Sequence, residues 1–503
     1  MENSHKIWLG VIFLVVLGLR LWLAFLSPEL NYDAYSVTRQ VDHISATGTP
    51  LFHDDLSYGG RLHVFSPIFD YILAFFNLFM PIIAVLKIIP NIFASLIIFS
   101  VYYLSEYMTK NKRVSLISAG FAGLVPVFFL NTINNASVYS LAIPLFFTTI
   151  YYFLRTNHDP KYLNKLLILM VFFTLVHPSS IILVVSFLIY VLLIKVQNFR
   201  ESAREPEVVL FFLFLVLWIN MMIFKKALAI HGQAIIWQNI PGVIIQNSYS
   251  HITFLQSIIG IGVIPLIFGL ISIYISLFVS KRKTTTLMMS VCLTFFILLF
   301  FRFIEIEIGL AFLGVALAVL MGPSLNKLYE LSKYSRIKNS SHWLTLVTLI
   351  VLVVTFIPVI SVAKIVASDT PSQKDIDMFL WLKNNTNSDA VILALPEEGS
   401  ALSYYSGRKN VIDSDYLLIR NIDSRYEDTT SIYEDQFLTT VLEKTNYYSI
   451  NYIVLSENNF KKTGLSSLAF EGNCVSRVYP VETSLYPPIV YRINCFLSQE
   501  VDG

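Results

Sequence analysis

Apolar segments about as long as a membrane-crossing helix recur along this chain from its N-terminus to residue 363. Hydrophobic residues make up 55% of the sequence and charged residues only 14%, a balance too apolar for a soluble protein. We therefore predict a polytopic α-helical membrane protein with about 11–13 transmembrane helices. The clearest spans lie near residues 7–26, 79–105, 114–131, 138–154, 165–177, 178–195, 207–224, 254–280, 284–301, 303–322 and 342–363.

Lys and Arg residues cluster in alternate loops between these segments, which predicts how the chain is oriented. By the positive-inside rule the N-terminus and five basic loops are cytoplasmic, whereas the first loop (27–78) and everything after residue 363 are extracytoplasmic. Lys225 and Lys226 end a span on the predicted outer face, so either a span is missing there or they contact anionic lipid headgroups. The compact chain suggests the plasma membrane of a prokaryote. The basic loops contain Lys110, Lys112, Arg113, Arg155, Lys161, Lys165, Lys195, Arg200, Arg204, Lys281, Arg282, Lys283, Lys327, Lys333, Arg336 and Lys338.

Charge and motifs exclude several other classes of protein. The net charge is only +2 and the cations lie in short clusters, so we expect no nucleic-acid partner. The sequence also lacks the GxGxxG, P-loop, HExxH and GxSxG motifs of nucleotide-binding proteins and hydrolases.

Residues 364–503 differ in composition from the rest, with acidic clusters and alternating helix and strand signals. The segment SQKDIDMFLWLKNN has helical periodicity, and AVILAL and NYIVLS are typical of strands. We predict a C-terminal extracytoplasmic α/β domain here, with a partly parallel or mixed sheet, after a transmembrane domain over residues 1–363 that includes the first outer loop. Cys474 and Cys495 flank a β-rich end, and they either form a disulfide outside the cytoplasm or stay free.

The first outer loop is too long and too rich in polar and aromatic residues for a simple connector. Asp33 lies in it, within NYDAYSVTRQ, where the first predicted span has just left the bilayer. Partial desolvation at this surface raises the basicity of a carboxylate, which suits a general base or a metal ligand. The alternative is an interfacial aspartate that caps the following helix.

Several segments carry a resemblance that spans both ends of the membrane part and the C-terminal domain. They are YDAY, DDLSYGGRL and AIPLFF early in the chain, FFRFIEIEIGLAFLGVALAVLMG from residue 300, and LPEEGSALSYYSGRKNVID from residue 395. In this order they resemble the single-subunit oligosaccharyltransferases of archaea and bacteria, which belong to the GT-C class of membrane glycosyltransferases. The resemblance implies a GT-C fold, a polyprenyl- or dolichyl-linked sugar donor, and a protein, lipid or glycan acceptor.

The matched positions supply candidate residues for such a site. Asp33 matches the aspartate that in the family binds the metal and the acceptor, and Arg302 matches the arginine that holds the donor's phosphates. A guanidinium suits that task because it pairs with two phosphate oxygens at once. Arg61, in SYGGRL, is either a second contact to phosphate or sugar, or part of a structural salt bridge.

The chain departs from the family where metal ligands and sequon recognition are expected. Asn135 and Ser137 stand in place of an acidic pair, and Gln256, in TFLQ, stands in place of the glutamate of a TIxE segment. LPEEG replaces the WWDYG signature and keeps an acid at Glu397. Because a hard divalent cation prefers several carboxylate oxygens, we expect a degenerate site in which only Asp33 would hold Mg²⁺ or Mn²⁺.

Further polar residues lie near predicted outer helix ends. His177, next to Pro178, is either a functional residue or a buried histidine satisfied by a backbone carbonyl. Glu305 and Glu307 open a predicted span, so they must be paired, protonated or in contact with water. Tyr404 and Tyr405 either stack on an acceptor or pack against the membrane part. The candidates for contacting the acceptor, or for supporting the residues that do, are Tyr35, His177, Glu397 and Arg408.

Three functions are compatible with these features. The first is an integral-membrane glycosyltransferase that moves a sugar or oligosaccharide from a polyprenyl-(di)phosphate donor to an acceptor on the extracytoplasmic face. Asp33 and Arg302 are a sufficient minimum for transfer from a monophosphate without a metal. The second is a non-catalytic relative that binds lipid-linked glycan, which the replaced acidic residues favour. The third is a lipid or glycolipid transporter, which fits the span count but leaves the long first loop unexplained.

Overall fold

The computed structural model describes residues 2–156, 159–199, 204–231, 249, 252–336, 339–419, 421–480 and 487–495. Arg200, Lys338 and most of the predicted outer loop at 225–253 lie outside these ranges. Helices dominate the described part of the chain, and short strands occur in the first outer loop and near the C-terminus.

Every predicted apolar span is helical in the structure. Three of them are broken into two helices, and in one case the break falls at Pro126, which has no backbone N–H and begins a new helix. The helices up to residue 367 that match these spans are Glu2–Ala24, Ile82–Ser95, Ile97–Thr109, Lys112–Gly123, Pro126–Leu130, Tyr139–Thr156, Leu163–Val176, Ser180–Val196, Arg204–His231, Phe254–Ile261, Val263–Phe278, Lys283–Phe300, Ile306–Ser332 and Ser340–Ala367.

Fewer of these helices meet a strict criterion of length and apolarity for crossing a membrane. Six of the described helices meet it, or seven when the pair Phe254–Ile261 and Val263–Phe278, bent by 84°, counts as one span. Ile68–Asn77 and Ser180–Val196 are apolar but shorter. By this criterion the described residues contain fewer spans than the about 11–13 that the sequence predicts.

The first outer loop is folded rather than extended. Its helix Ala34–Thr47 ends at Gly48, whose φ of 76° is a left-handed conformation that glycine adopts without steric cost. Strands β1 (His53–Asp54) and β2 (Arg61–Leu62) then pair antiparallel, and the helix Ile68–Asn77 leads back to the membrane part.

The C-terminal part forms a five-stranded mixed sheet in the order β4-β3-β5-β7-β6, as the sequence predicts. Strand β3 is parallel to both β4 and β5, whereas β7 is antiparallel to both β5 and β6. Cys474 and Cys495 are joined by a disulfide. The strands are β3 (Val391–Leu393), β4 (Lys409–Asn410), β5 (Tyr452–Leu455), β6 (Val475–Tyr479) and β7 (Ile489–Ile493). The α-helices of this part are Gln373–Asn385, Gly399–Ser406, Ile422–Glu434, Leu438–Tyr447 and Glu457–Thr463, and Pro396–Glu398 is a 3-10 helix. A second 3-10 helix, Pro160–Tyr162, lies in the membrane part.

The first outer loop packs against the C-terminal part. Tyr35 and Leu73 of the loop share one buried cluster with Phe379 and Leu402. The backbone N–H of Asn410 donates to the carbonyl of Leu56 at 2.8 Å, so the loop also extends the edge of the sheet beyond β4. These contacts place the two polar parts of the chain side by side.

Candidate functional site

A cavity of ≈ 800 Å³ opens where the first outer loop, the C-terminal part and several helix ends meet. Its walls come from segments far apart in the sequence, and all of its charged lining residues apart from two histidines are carboxylates. The polar and charged lining residues are Asp33, Ser36, Gln40, His63, Ser66, Asp70, Asn135, Ser137, Tyr139, His177, Glu305, Glu307, Glu397, Ser414, Asp415, Tyr416 and Tyr426.

Asp33 stands at the N-cap position of the helix Ala34–Thr47, but its side chain makes no capping hydrogen bond. The carboxylate instead accepts a hydrogen bond from Ser414 of the C-terminal part. Water reaches Asp33 through the cavity, yet protein surrounds it on most sides, and this desolvation raises the pKa of its carboxyl above the ordinary value. The geometry therefore removes the capping alternative and leaves an available, basic carboxylate.

Four other predicted positions line the same cavity. They are Asn135 and Ser137, between the helices Pro126–Leu130 and Tyr139–Thr156, together with His177 and Glu397. Asn135, Ser137 and Glu397 were identified through the resemblance and His177 through its place near a helix end, and all four line the cavity with Asp33.

His177 ends the helix Leu163–Val176. Its Nδ1 accepts a hydrogen bond from the backbone N–H of Ser179 at 3.1 Å, so the neutral ring carries its proton on Nε2. The ring packs edge-on against Tyr139, with centroids 4.7 Å apart. In the described contacts the histidine is thus held by a backbone N–H rather than by a carbonyl.

Glu397 is half-buried and lies 3.9 Å from the ammonium of Lys462. Its neighbour Glu398 is fully buried, accepts hydrogen bonds from Ser456 and from Asn458 (2.9 Å), and has a pKa raised to about 7 by burial. These hydrogen bonds fix the turn Pro396–Glu398, and the turn holds Glu397 at the cavity wall.

Arg302 lies outside the cavity wall. It is exposed, adopts a φ of 56°, and its guanidinium lies 5.3 Å from the ring centroid of Tyr249. It forms no ion pair with Glu305 or Glu307 among the described contacts. Those two glutamates begin the next helix and face the water of the cavity. The assignment of Arg302 to donor phosphates stays a prediction.

Arg61 is buried in an ionic cluster. Its guanidinium donates to both carboxylate oxygens of Asp413, at 2.8 and 2.7 Å, and lies 3.5 Å from Asp54. His63 adds contacts of 3.4 Å to Asp54 and 3.2 Å to Asp415. This arrangement is the structural salt bridge that the sequence analysis gave as one of two alternatives, and Arg61 is not among the described lining residues of the cavity.

The remaining predicted residues lie outside the cavity. The hydroxyl of Tyr35 donates to Glu29 at 2.9 Å and lies 3.0 Å from that of Tyr405, so Tyr35 joins the loop to the C-terminal part. Arg408 donates to the carbonyl and the hydroxyl of Thr386 at 2.8 and 2.9 Å and closes the end of a helix. Gln256 forms a capping box with Thr253.

Sequence reasoning did not single out Asp70, His63, Ser414 and Asp415, all of which line the cavity. Asp70 stands among many ionisable residues of the first outer loop, and no motif distinguishes it. Ser414 and Asp415 follow the segment that resembles the WWDYG region, so the available signal was only their proximity to that segment.

Within the described part of the chain, the donor atoms around Asp33 do not fit a divalent cation. Across the described ranges, no group of three or more His, Cys, Asp or Glu side chains is arranged to hold a metal ion. The family's acidic-pair positions are an amide and a hydroxyl, at Asn135 and Ser137, and Gln256 is occupied with its own helix cap. We therefore assign no step to a metal.

Comparison with known proteins places the fold. No family model matches the sequence, and a search of curated proteins found no match in sequence. The oligosaccharyltransferase of Archaeoglobus fulgidus is similar in structure, with a TM-score of 0.67 at 14% identity over 90% of this chain and 70% of that one. A structure of that archaeal protein, AglB, in complex with an inhibitory peptide and a dolichol-phosphate gives 0.65 at 14% identity, over 89% and 69%.

ArnT from Cupriavidus metallidurans, bound to undecaprenyl phosphate, gives a TM-score of 0.52 at 11% identity, over 96% of this chain and 97% of that one. These neighbours, two different membrane glycosyltransferases, confirm the predicted fold class. The chain is an integral membrane protein with the GT-C fold.

Proposed function

We propose that this chain is a glycosyltransferase that moves a sugar or oligosaccharide from a polyprenyl-(di)phosphate donor to an acceptor on the extracytoplasmic face. The observation that carries the proposal is the carboxylate of Asp33. It has a raised pKa, makes no helix-capping hydrogen bond, and lines a cavity of ≈ 800 Å³ beside the end of the first span. Proteins with the same fold have been solved with dolichol-phosphate and with undecaprenyl phosphate, which supports a polyprenyl carrier here.

Asp33 acts as the general base. The acceptor's oxygen or nitrogen attacks the anomeric carbon of the sugar, its proton passes to Asp33, and the bond from that carbon to the phosphate oxygen breaks. The polyprenyl (di)phosphate leaves with the bonding electrons. A raised pKa makes the carboxylate a better proton acceptor, and Ser414 keeps it in place.

The donor's phosphate binds beside the cavity, near cations that neighbour lining residues in the sequence. No Lys or Arg belongs to the described cavity lining, so a phosphate group would meet like charge further in. Arg302 is exposed and shortly precedes Glu305, a lining residue. Lys225 and Lys226 are exposed and directly follow Phe224, another lining residue. In this arrangement Arg302 binds the leaving phosphate and stabilises its developing charge.

A second candidate function is a non-catalytic relative that binds lipid-linked glycan. The observation that favours it is the presence of Asn135 and Ser137 in the cavity, because an amide and a hydroxyl keep shape and hydrogen bonding but not charge. The available carboxylate of Asp33 argues for catalysis.

Transfer assays separate the two functions. Purified protein in lipid nanodiscs is incubated with radiolabelled polyprenyl-phosphate and polyprenyl-diphosphate sugars and host membrane extract, with and without EDTA. We expect wild type and the control Asp55→Asn to transfer label, since Asp55 is an exposed aspartate of the same loop, and Asp33→Asn to transfer none. If wild type leaves every donor intact, or Asp33→Asn matches wild type, the catalytic proposal fails. The EDTA arm reports separately whether a metal takes part.

A further inference from the structure

Asp70 is a buried carboxylate of the first outer loop for which the described residues supply no hydrogen bond. It stands in the first turn of the helix Ile68–Asn77, is only 7% exposed, and lines the cavity. It forms no hydrogen bond or ion pair with any residue that the structure describes. Burial raises the pKa of its carboxyl to about 7, and the charge of His63 acts in the opposite direction.

The position of Asp70 in its helix does not explain why its carboxyl is buried without a described hydrogen bond. A carboxylate in the first turn of a helix interacts favourably with the helix dipole, and that explains why an acid is tolerated here. It does not replace the hydrogen bonds that a carboxylate loses on burial, because buried polar groups in proteins are almost always bonded. Asp70 lines the cavity, and no described residue bonds to its carboxyl, so this group is available to a ligand supplied from outside.

The charge around Asp70 indicates what kind of group that is. Asp33, Glu305 and Glu307 share the described lining with it, Glu397 does so beside Lys462, and no lysine or arginine is itself a described lining residue. Lys225 and Lys226, which directly follow lining residue Phe224, are exposed and are not among the described lining residues. A neutral hydroxyl would satisfy the hydrogen bond but leave this excess negative charge, whereas an ammonium group satisfies both.

We infer that Asp70 binds a primary ammonium group of the acceptor, so that the acceptor of the transfer is an amine-bearing compound. That the bound compound is the acceptor rests on the proposed glycosyl transfer. Binding of an ammonium group at Asp70 does not depend on that function and can be measured by itself. Asp70 orients the acceptor by this contact, while Asp33, at the start of the preceding helix, takes the proton from the atom that attacks.

A matched pair of soluble probes tests the site without any transfer reaction. Aminoethyl β-glucoside and hydroxyethyl β-glucoside differ only in an ammonium against a hydroxyl group. Their binding to the full chain in nanodiscs is measured by calorimetry for wild type, Asp70→Asn and Asp55→Asn, at mildly alkaline pH so that Asp70 is ionised. We expect wild type and Asp55→Asn to prefer the amine by about tenfold, the usual strength of one charge-assisted hydrogen bond, and Asp70→Asn to lose the preference.

The preference between two probes is a readout that a merely structural role of Asp70 would not change, because a general loosening of the fold weakens both probes alike. Equal binding of the two probes to wild type overturns the inference. An amine preference that survives in Asp70→Asn also overturns it. So does a preference that EDTA abolishes, because a metal ion would then bridge the carboxyl of Asp70 and the amine of the probe. Failure of the glycosyl transfer itself shows separately, as absence of labelled product from every donor while the amine preference persists.

Discussion

Arg61 and Asp413, 352 residues apart in the sequence, form a two-pronged ion pair with N–O distances of 2.8 and 2.7 Å. The pair fastens β2 of the first outer loop to the segment that supplies Ser414 and Asp415 to the cavity. Ser414 in turn donates to Asp33. The position of the proposed base thus depends on a contact between opposite ends of the chain.

Breaking this pair should cost much of the stability of the outer part. Arg61→Met leaves Asp413, which is 1% exposed, without its main partner, and we expect the free energy of unfolding to fall by about 3–5 kcal/mol. Removing both charges, in Arg61→Met with Asp413→Leu, should restore a large part of the loss. Thermal unfolding followed by tryptophan fluorescence measures both variants.

The control for the ion-pair experiment is Lys409→Met, which breaks the exposed pair with Asp389 and should change stability by less than about 1 kcal/mol. A loss in Arg61→Met as small as that of the control would contradict the structural role given to Arg61.

Activity should depend on the ionisation of Asp33. The raised pKa means that transfer falls off as the pH drops through a value above the ordinary range of an aspartate, because only the carboxylate accepts a proton. A raised pKa also means that the folded state binds this proton more tightly than the unfolded state, so ionised Asp33 lowers stability as pH rises through its pKa.

Asp33→Asn should therefore abolish transfer while keeping or raising the melting temperature at neutral pH. Asp55→Asn provides the comparison, with unchanged activity and unchanged melting temperature. An Asp33→Asn variant that unfolds more readily than wild type would mean that the carboxylate stabilises the fold, and that its role has been misread.

Arg302 should affect donor binding more than turnover of bound donor. If its guanidinium contacts the phosphate beside the cavity, Arg302→Gln should raise the donor KM by about tenfold or more, and added salt should weaken donor binding less in the variant than in wild type. Arg336→Gln, in an exposed arginine between the last two long helices, serves as the control. A donor KM equal to that of wild type would leave the phosphate without its proposed ligand.

The disulfide between Cys474 and Cys495 provides a test of orientation. It closes a segment with a sequence separation of 21 residues, and replacing both cysteines with serine should lower the free energy of unfolding by roughly 3 kcal/mol. Cys292 is buried in a span, so a membrane-impermeant maleimide should label intact cells only after mild reduction. Labelling that requires lysis instead would place the C-terminal part in the cytoplasm.

Much of the fold was readable from the sequence because hydropathy acts locally. Every apolar run became helical, since a backbone surrounded by lipid or apolar side chains must satisfy its own hydrogen bonds. The breaks within runs were harder to foresee, as at Pro126, because a kinked pair and a straight span have similar composition.

The site was only partly readable. Asp33, His177 and Glu397 were identified from pattern and resemblance, and they converge. The partner of Arg61 was not, because Asp413 is adjacent only after the whole chain has folded. That no described residue bonds to the carboxyl of Asp70 is likewise a property of its surroundings, which no local pattern in the sequence records.

The division of the cavity between opposite ends of the chain has a consequence for biosynthesis. When the first outer loop leaves the translocation machinery, Asp33 and Arg61 are present, but Ser414 and Asp413 have not yet been synthesised. A nascent chain therefore carries the proposed base on an incomplete surface, and Arg61, which is buried in the folded protein, is exposed to water. The site is assembled only after the last span has been inserted and the C-terminal part has docked, so chains truncated before residue 413 should be inserted into the membrane yet inert.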